Sequence, residues 1–279
     1  MSDPTSRRYR TRGLAVVQRE LALFLRNAFG SLISLEFATV VLPLLILWEV
    51  APRLGWVPET LVPPPSRVAV AAWAMVGDIG LLGHIGTSLG RFALGLALAL
   101  ALALPIGVLM GWNLFVRRHA LPLFQILAPI PPPAWVPMAL VLIGIGLPMQ
   151  TFLIFLGAFY PILFNTYQGV KDVDPRFIAS ARSLGASEWT LIRRILVWHA
   201  LGHIVMGIKI GIAMALVMVV IAEMYGGRTG LGYLLVEAKE YFQLDRMVVC
   251  MVVLGAIGWL GIEIMKHVEL RVALWKAGR

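Results

Sequence analysis

The stretch from 88 to 112 carries one charged side chain, Arg91, and is otherwise almost wholly apolar. An α-helix needs roughly 20 apolar residues to cross a hydrocarbon layer about 30 Å thick, and this stretch is long enough. The same density of apolar residues recurs along the chain. Of its 279 residues 59% are hydrophobic and only 14% charged, where a soluble domain has about a quarter charged. Apolar windows place six spans, at about 35–52, 88–112, 123–146, 150–168, 204–224 and 247–265. The third is the least regular, because Pro129, Pro131, Pro132, Pro133 and Pro137 cannot all sit in one unbroken helix. If it breaks, carbonyls freed at Pro129, Pro133, Trp135 and Pro137 have to face a solute pathway or be buried in protein, since irregular backbone at membrane depth is tolerated only there.

The distribution of basic residues orients the spans. With the N-terminus in the cytoplasm, 17 of the 24 Lys and Arg residues fall on the cytoplasmic side and six on the other, with Lys209 inside the fifth span. The positive-inside bias therefore puts both termini in the cytoplasm. The expected fold is all-α, with six transmembrane helices over 35–265, a cytoplasmic segment at 1–34 and a cytoplasmic tail at 266–279. Residues 1–26 are basic and lack the short apolar core and small-residue cleavage site of a signal peptide, so they are expected to belong to the mature protein. Leu14, Val17, Leu21, Phe24 and Leu25 recur there at helical spacing, as in an amphipathic helix lying on the membrane surface. The net charge of +9 belongs to this flanking pattern, so no nucleic acid is expected as partner. The one cysteine, Cys250, lies in an apolar run and excludes an internal disulfide.

The cytoplasmic excursion at 169–203 carries the densest local signals. Asp174 is a good N-cap and Pro175 a good first helical residue. Gly185 suits a left-handed helix end, and Ser187 can cap a second short helix over 188–198. Helix, glycine and helix make a knob on the cytoplasmic face. Other polar and small-residue features read as structure. Lys209 and Glu223 lie near the ends of the fifth span and are expected to reach the interface, as are Glu36, Glu49 and Glu263, although charges in spans are often functional. His199 and His203 share a helical face, yet the glutamate of a zinc-protease pair is replaced by Ala200, so no metal site is expected. The G-x-x-x-G patterns at 107–111 and 207–211, with Gly255, Gly258 and Gly261, allow close helix approach either within the chain or between copies.

Residues 177–187, FIASARSLGAS, with Ile195 ten positions after the glycine, resemble the coupling-loop signature of binding-protein-dependent transport permeases. Ala181, Gly185 and Ile195 match it. Ala179, Ser180, Val197 and Trp198 depart from it, where the family has Glu, Ala, Leu and Pro. The stretches 63–66 (PPPS), 84–91 (HIGTSLGR), 129–137 (PIPPPAWVP), 184–187 (LGAS) and 222–232 (AEMYGGRTGLG) resemble the nitrate, sulfonate, taurine and bicarbonate branch.

The resemblance implies a type I ABC importer permease in the bacterial cytoplasmic membrane, working with two ATPase subunits, a second permease subunit that is expected to be an identical chain, and an external solute-binding protein. It implies ATPase coupling through Asp174, Ala181, Leu184, Gly185, Ala186, Ser187 and Ile195. The solute pathway is expected near Pro129, Pro133, Trp135, Pro137 and Glu223. The implied solute is a small anion, to which Arg91 and Arg228 lend attraction. The chain contains no G-x-x-x-x-G-K-[ST] loop, so no cofactor is expected on it, and ATP and magnesium are expected on the partner ATPase. The competing reading is a passive channel or ion-coupled carrier, which would more often show internal repeats or buried acidic relays. A membrane enzyme would need a reactive cluster that the sequence does not display.

Overall fold

The computed structural model describes residues 35–277. The amphipathic helix expected within 1–34 and the side chain of Glu36 lie outside what is described. The chain divides into two compact units, Met1–Ser66 and Arg67–Arg279, which places a boundary inside the membrane domain expected at 35–265. The first unit holds helix α1, Leu35–Arg53, over the predicted first span. Local bonds close this unit on itself. Trp48 Nε1 donates to Pro63 O at 3.1 Å. Glu49 accepts from both the backbone N and the hydroxyl of Ser66, at 3.0 and 2.8 Å, and pairs with Arg53 at 2.5 Å. Glu49 is thus engaged locally, where the sequence suggested a side chain reaching for the interface.

Helix α2, Pro65–Asp78, straddles the boundary. Gly80, at φ 64°, then turns the chain into α3, Leu81–Trp112. Helix α4, Leu114–Leu127, is capped by Asn113, whose side chain accepts from Phe115 N and Val116 N. A 3₁₀ turn at Pro132–Trp135 leads to the short α5, Val136–Leu142, and the two halves are bent by 86°. The predicted third span is therefore a broken one, as five prolines in nine residues require. Helix α6 is Leu147–Lys171 and α7 is Pro175–Ser183. Helix α8 is Glu188–Gly226, widened by one π turn at Ile192–Leu196. Helices α9, Leu231–Glu240, and α10, Leu244–Ala277, complete the chain.

Among the described residues, four helices are long and apolar enough to cross a membrane: α3, α6, α8 and α10. The bent pair makes five if it counts as one crossing. Leu82, Leu94, Leu98 and Leu102 are exposed along α3, a surface suited to hydrocarbon rather than water. One expectation is corrected by the helix bounds. The segment at 188–198 is not a separate short helix but the first part of α8, because nothing after Ser187 breaks the helical pattern. Helix α10 runs on to Ala277, so residues 266–277 of the expected tail are helical.

Helix α6 lies between α3 and α8, and small residues set both approaches. Gly95, Ala99, Ala103, Gly107 and Gly111 recur every fourth residue on α3, so they form one stripe. A β-carbon at Gly107 would stand 2.8 Å from Thr166 Cβ and 2.9 Å from Leu163 O; one at Gly111 would stand 2.6 Å from Val170 Cβ. On α8, Gly207 and Gly211 meet α6 in the same way, at Pro161 O and Ile162, and Gly157 of α6 answers with 2.9 Å to Met214 O. The G-x-x-x-G patterns at 107–111 and 207–211 are thus seams within the chain. Gly258 and Gly261 of α10 approach Leu216 and Ile212 of α8, both at 3.1 Å, and Gly255 faces open space. Gly107→Val is expected to lower stability by about 3 kcal/mol, the upper end of the overpacking range, because backbone as well as side chain stands in the way. Thermal unfolding of the purified chain in detergent measures this.

Charges along the helices pair with one another. Lys209 on α8 bonds Glu269 on α10, with the lysine side chain only 17% exposed. Glu263, nearly buried, accepts from Lys266 at 2.8 Å. Both were expected to reach outward; a partner on the same or a facing helix offsets the charge instead.

Candidate coupling knob and buried charge network

The knob begins where α6 ends. Asp174 accepts from Arg176 N at 2.8 Å and Pro175 opens α7, so the first turn is capped as its sequence predicts. The other end of α7 is a Schellman cap. Ala186 N donates to Ala181 O at 3.0 Å, Gly185 N donates to Arg182 O at 2.9 Å, and Gly185 sits at φ 79°. Ala181, Gly185 and Ala186 are therefore three positions of one local device, and the first and last also keep that turn small. Ser187 then caps α8, its hydroxyl accepting from Thr190 N at 3.3 Å.

The stem is apolar. Val170 and Val173 pack with Leu196, Ala200 and Ile204, and Ile178 and Ile195 join from the knob side. Arg182 bridges the glycine turn to Glu188 at 3.0 Å and lies over the Trp112 ring at 5.4 Å, which ties α7 to the end of α3. An open cleft of 540 Å³ lies beneath, lined by Trp112, Asn113, Pro175 and Ala179 among others. Above this stem Phe177, Leu184 and Trp189 are exposed, Leu184 at 88%. Exposed apolar side chains grouped on a capped helix are the kind of patch that marks interaction sites. His199 of the neighbouring turn is bonded at Nδ1 to Ile195 O at 3.2 Å and packs on Phe177. Among the described residues no cluster of His, Cys, Asp or Glu is placed to hold a metal ion.

At the far end of α8, Glu223 is fully buried, not stretched to an interface. Its carboxylate accepts from Arg91 Nη1 at 2.8 Å, from Gly232 N at 2.8 Å, and from the Ser88 hydroxyl at 2.8 and 2.9 Å. Ser88 in turn accepts from Leu231 N at 2.8 Å, and His84 Nδ1 accepts from Gly230 N at 3.0 Å. Arg91 also donates to the carbonyl and hydroxyl of Thr229, at 2.6 and 3.0 Å. The free backbone N–H groups of the first turn of α9 are thus satisfied by a carboxylate and a hydroxyl from two other helices, the kind of partner a helix N-terminus favours. Glycines make this possible. A β-carbon at Gly230, where φ is 113°, would strike the Glu223 carboxylate, and one at Gly232 would come within 2.6 Å of Val220 O. The two stretches 84–91 and 222–232 therefore meet and form one network. Arg91 is neutralised within it and is not the free attracting charge expected from sequence; Arg228 is exposed.

The predicted pathway residues separate into two places. Pro129 lies in the break after α4, Pro133 and Trp135 in the 3₁₀ turn and Pro137 in α5, while Glu223 sits in the network described above. Trp135 packs on the main apolar cluster and its Nε1 is buried with no hydrogen-bond partner among the described residues. Sequence reasoning missed Ser88, His84 and Thr229. The available signal was the spacing of His84, Ser88 and Arg91, which puts all three on one face of α3.

Known proteins place this architecture. A "Probable ABC transporter permease protein" of Brucella abortus (strain 2308) is 35% identical over 216 residues, covering 77% of this chain and 86% of that protein. The taurine transport system permease protein TauC of Escherichia coli (strain K12) is 29% identical over 248 residues, covering 87% and 90%. Among solved structures, the inward-facing MetNI methionine ABC transporter shares the fold with a TM-score of 0.54 at 21% identity, over 67% of this chain and 95% of that one. Residues 103–273, which include the knob, α8 and the Glu223 side of the buried network, match the family of binding-protein-dependent transport system inner membrane components, and the chain belongs to that family.

Proposed function

We propose that the chain is the membrane subunit of an ATP-driven importer for a small anion, of the sulfonate, taurine or bicarbonate kind. The observation that carries the reading is the knob: a doubly capped helix on an apolar stem, with Phe177, Leu184 and Trp189 left uncovered. Docked into a separate ATPase subunit, it converts closure of that subunit into movement of α6 and α8, to which the stem is packed. Asp174, Ala181, Gly185, Ala186 and Ser187 hold its shape, Ile195 seats it, and Leu184 meets the partner. Two ATPase subunits hold the ATP and magnesium, a second copy of this chain completes the pathway, and an external binding protein delivers the solute. The chain crosses the bacterial cytoplasmic membrane six times, with α1 the first crossing and the bent pair the third. The knob and both termini are cytoplasmic, and the Glu223 network is at the outer end. The basic-residue bias and the taurine permease likeness support this.

Reconstituted with its ATPase and binding protein, the complex is expected to hydrolyse ATP faster when taurine, ethanesulfonate or bicarbonate is bound to the binding protein. Stimulation by a neutral sugar alone would overturn the anion reading. Topology is read separately from single cysteines at Thr60, Ala179 and Arg228 in a Cys250→Ala background. An impermeant thiol reagent added to intact cells is expected to label the first and third; labelling of Ala179→Cys alone would reverse the orientation.

A further inference from the structure

Beside the Glu223 network, α3, α6 and the end of α8 enclose a cleft of 360 Å³ whose lining includes Thr87, Gly90, Arg91, Gly146, Leu147 and Gln150. Four observations give it a chemistry. Helix α6 begins here, after Gly146, so the positive end of a 25-residue helix opens on the cleft. Gln150, in that first turn, is only 2% exposed, and its side-chain amide has no hydrogen-bond partner among the described residues. The amide points at the cleft wall: Nε2 lies 3.6 Å from where a β-carbon on Gly226, another lining residue, would stand.

Arg91 supplies the remaining pieces. Its side chain, 12% exposed, lines the cleft, while Glu223 lies behind it at 0% and does not. The pair is neutral as a whole, but its positive end faces the cleft. Arg91 Nη1 is spent on Glu223 and Thr229, which leaves Nε and one Nη2 hydrogen. No carboxylate lines the cleft. On Gly90 a β-carbon would meet nothing within 4 Å, so the wall is open on that side.

The geometry points to this cleft as an outer stopping site for a small oxyanion, held by the Gln150 amide, the free Arg91 hydrogens and the N-terminus of α6. The assignment rests on the import reading above, and it adds a place and a donor set to it.

The test uses the whole transporter, with ATPase and binding protein, in vesicles carrying Gly90→Cys in a Cys250→Ala background. Two thiol reagents of similar size are compared, one bearing a sulfonate and the other a quaternary ammonium. The sulfonate reagent is expected to react about tenfold faster, as a locally positive cleft requires. Millimolar ethanesulfonate is expected to slow it, and Gln150→Glu to reverse the preference and remove the protection. Equal rates with the two reagents, or no protection by ethanesulfonate in the parent, would overturn the site. Uptake of ethanesulfonate, measured in the same vesicles, separates the two ideas. Uptake without protection overturns the cleft and leaves import standing. Protection without uptake supports the cleft and removes the anion-import reading.

Discussion

Arg91→Leu is expected to destabilise the chain by about 3–5 kcal/mol, because it leaves the Glu223 carboxylate wholly buried without its cation. Glu223→Leu is expected to be comparably harmful for the opposite reason: Arg91 loses its partner and the Gly232 N–H loses its acceptor. The double variant should be less harmful than the sum of the two, since breaking one half of a buried pair costs more than replacing both. Thermal unfolding of the purified chain in detergent, run as a double-mutant cycle, reads this directly. Strict additivity would mean that the two side chains do not act as a pair. The loss should also be visible locally, because the Arg91 bonds to Thr229 would be gone while the Ser88 and His84 bonds to Leu231 and Gly230 remained.

Gly185→Val is expected to abolish solute-stimulated ATP hydrolysis by the complex while leaving the chain inserted. At φ 79° a residue with a β-carbon is strained by roughly 1–2 kcal/mol, and a branched one fares worse. The effect is conformational and not steric, for a β-carbon at this position meets nothing within 4 Å. The chain can relieve the strain only by opening the Schellman cap, which releases Ala186 from Ala181 and changes where Leu184 points. Gly185→Ala should fall between wild type and valine. Ala179, exposed on the rim of the cleft beneath α7 and not part of either cap, should accept substitution with little effect. Pull-down of the ATPase beside the hydrolysis assay checks both, and full stimulation by Gly185→Val would remove the knob from the coupling mechanism.

These two places were unequally legible in the sequence. The knob is local chemistry: an N-cap, a proline, a glycine and a second cap within fourteen residues, each decided by its neighbours along the chain. Its outline was therefore readable, apart from the end of the second helix, where no breaker separates Trp198 from α8. The Glu223 network is long-range, joining residues more than 130 positions apart. A lone glutamate near a span end is chemically the same whether it reaches outward or is met by an arginine, and only packing decides. The glycines were ambiguous for a like reason. A stripe such as 107–111 announces a close helix approach, but α6, which receives it, has nothing in its sequence that names α3 as the partner.

The π turn at Ile192–Leu196 changes what counts as a small edit in this chain. In an uninterrupted α-helix Leu191 and Leu196 would lie about 140° apart around the axis, yet both are completely buried. The wide turn absorbs one residue and so phases the two ends of the helix independently: the part beyond it follows the membrane packing, the part before it follows the knob. Forcing this turn into regular α geometry with every residue kept would put the two ends out of phase by about 100°, whereas removing one residue would close it into an ordinary α turn with the phase preserved. The width of this turn is thus a tolerance for length, and homologous chains lacking the one extra residue would present the same knob at the same bearing through an ordinary α turn.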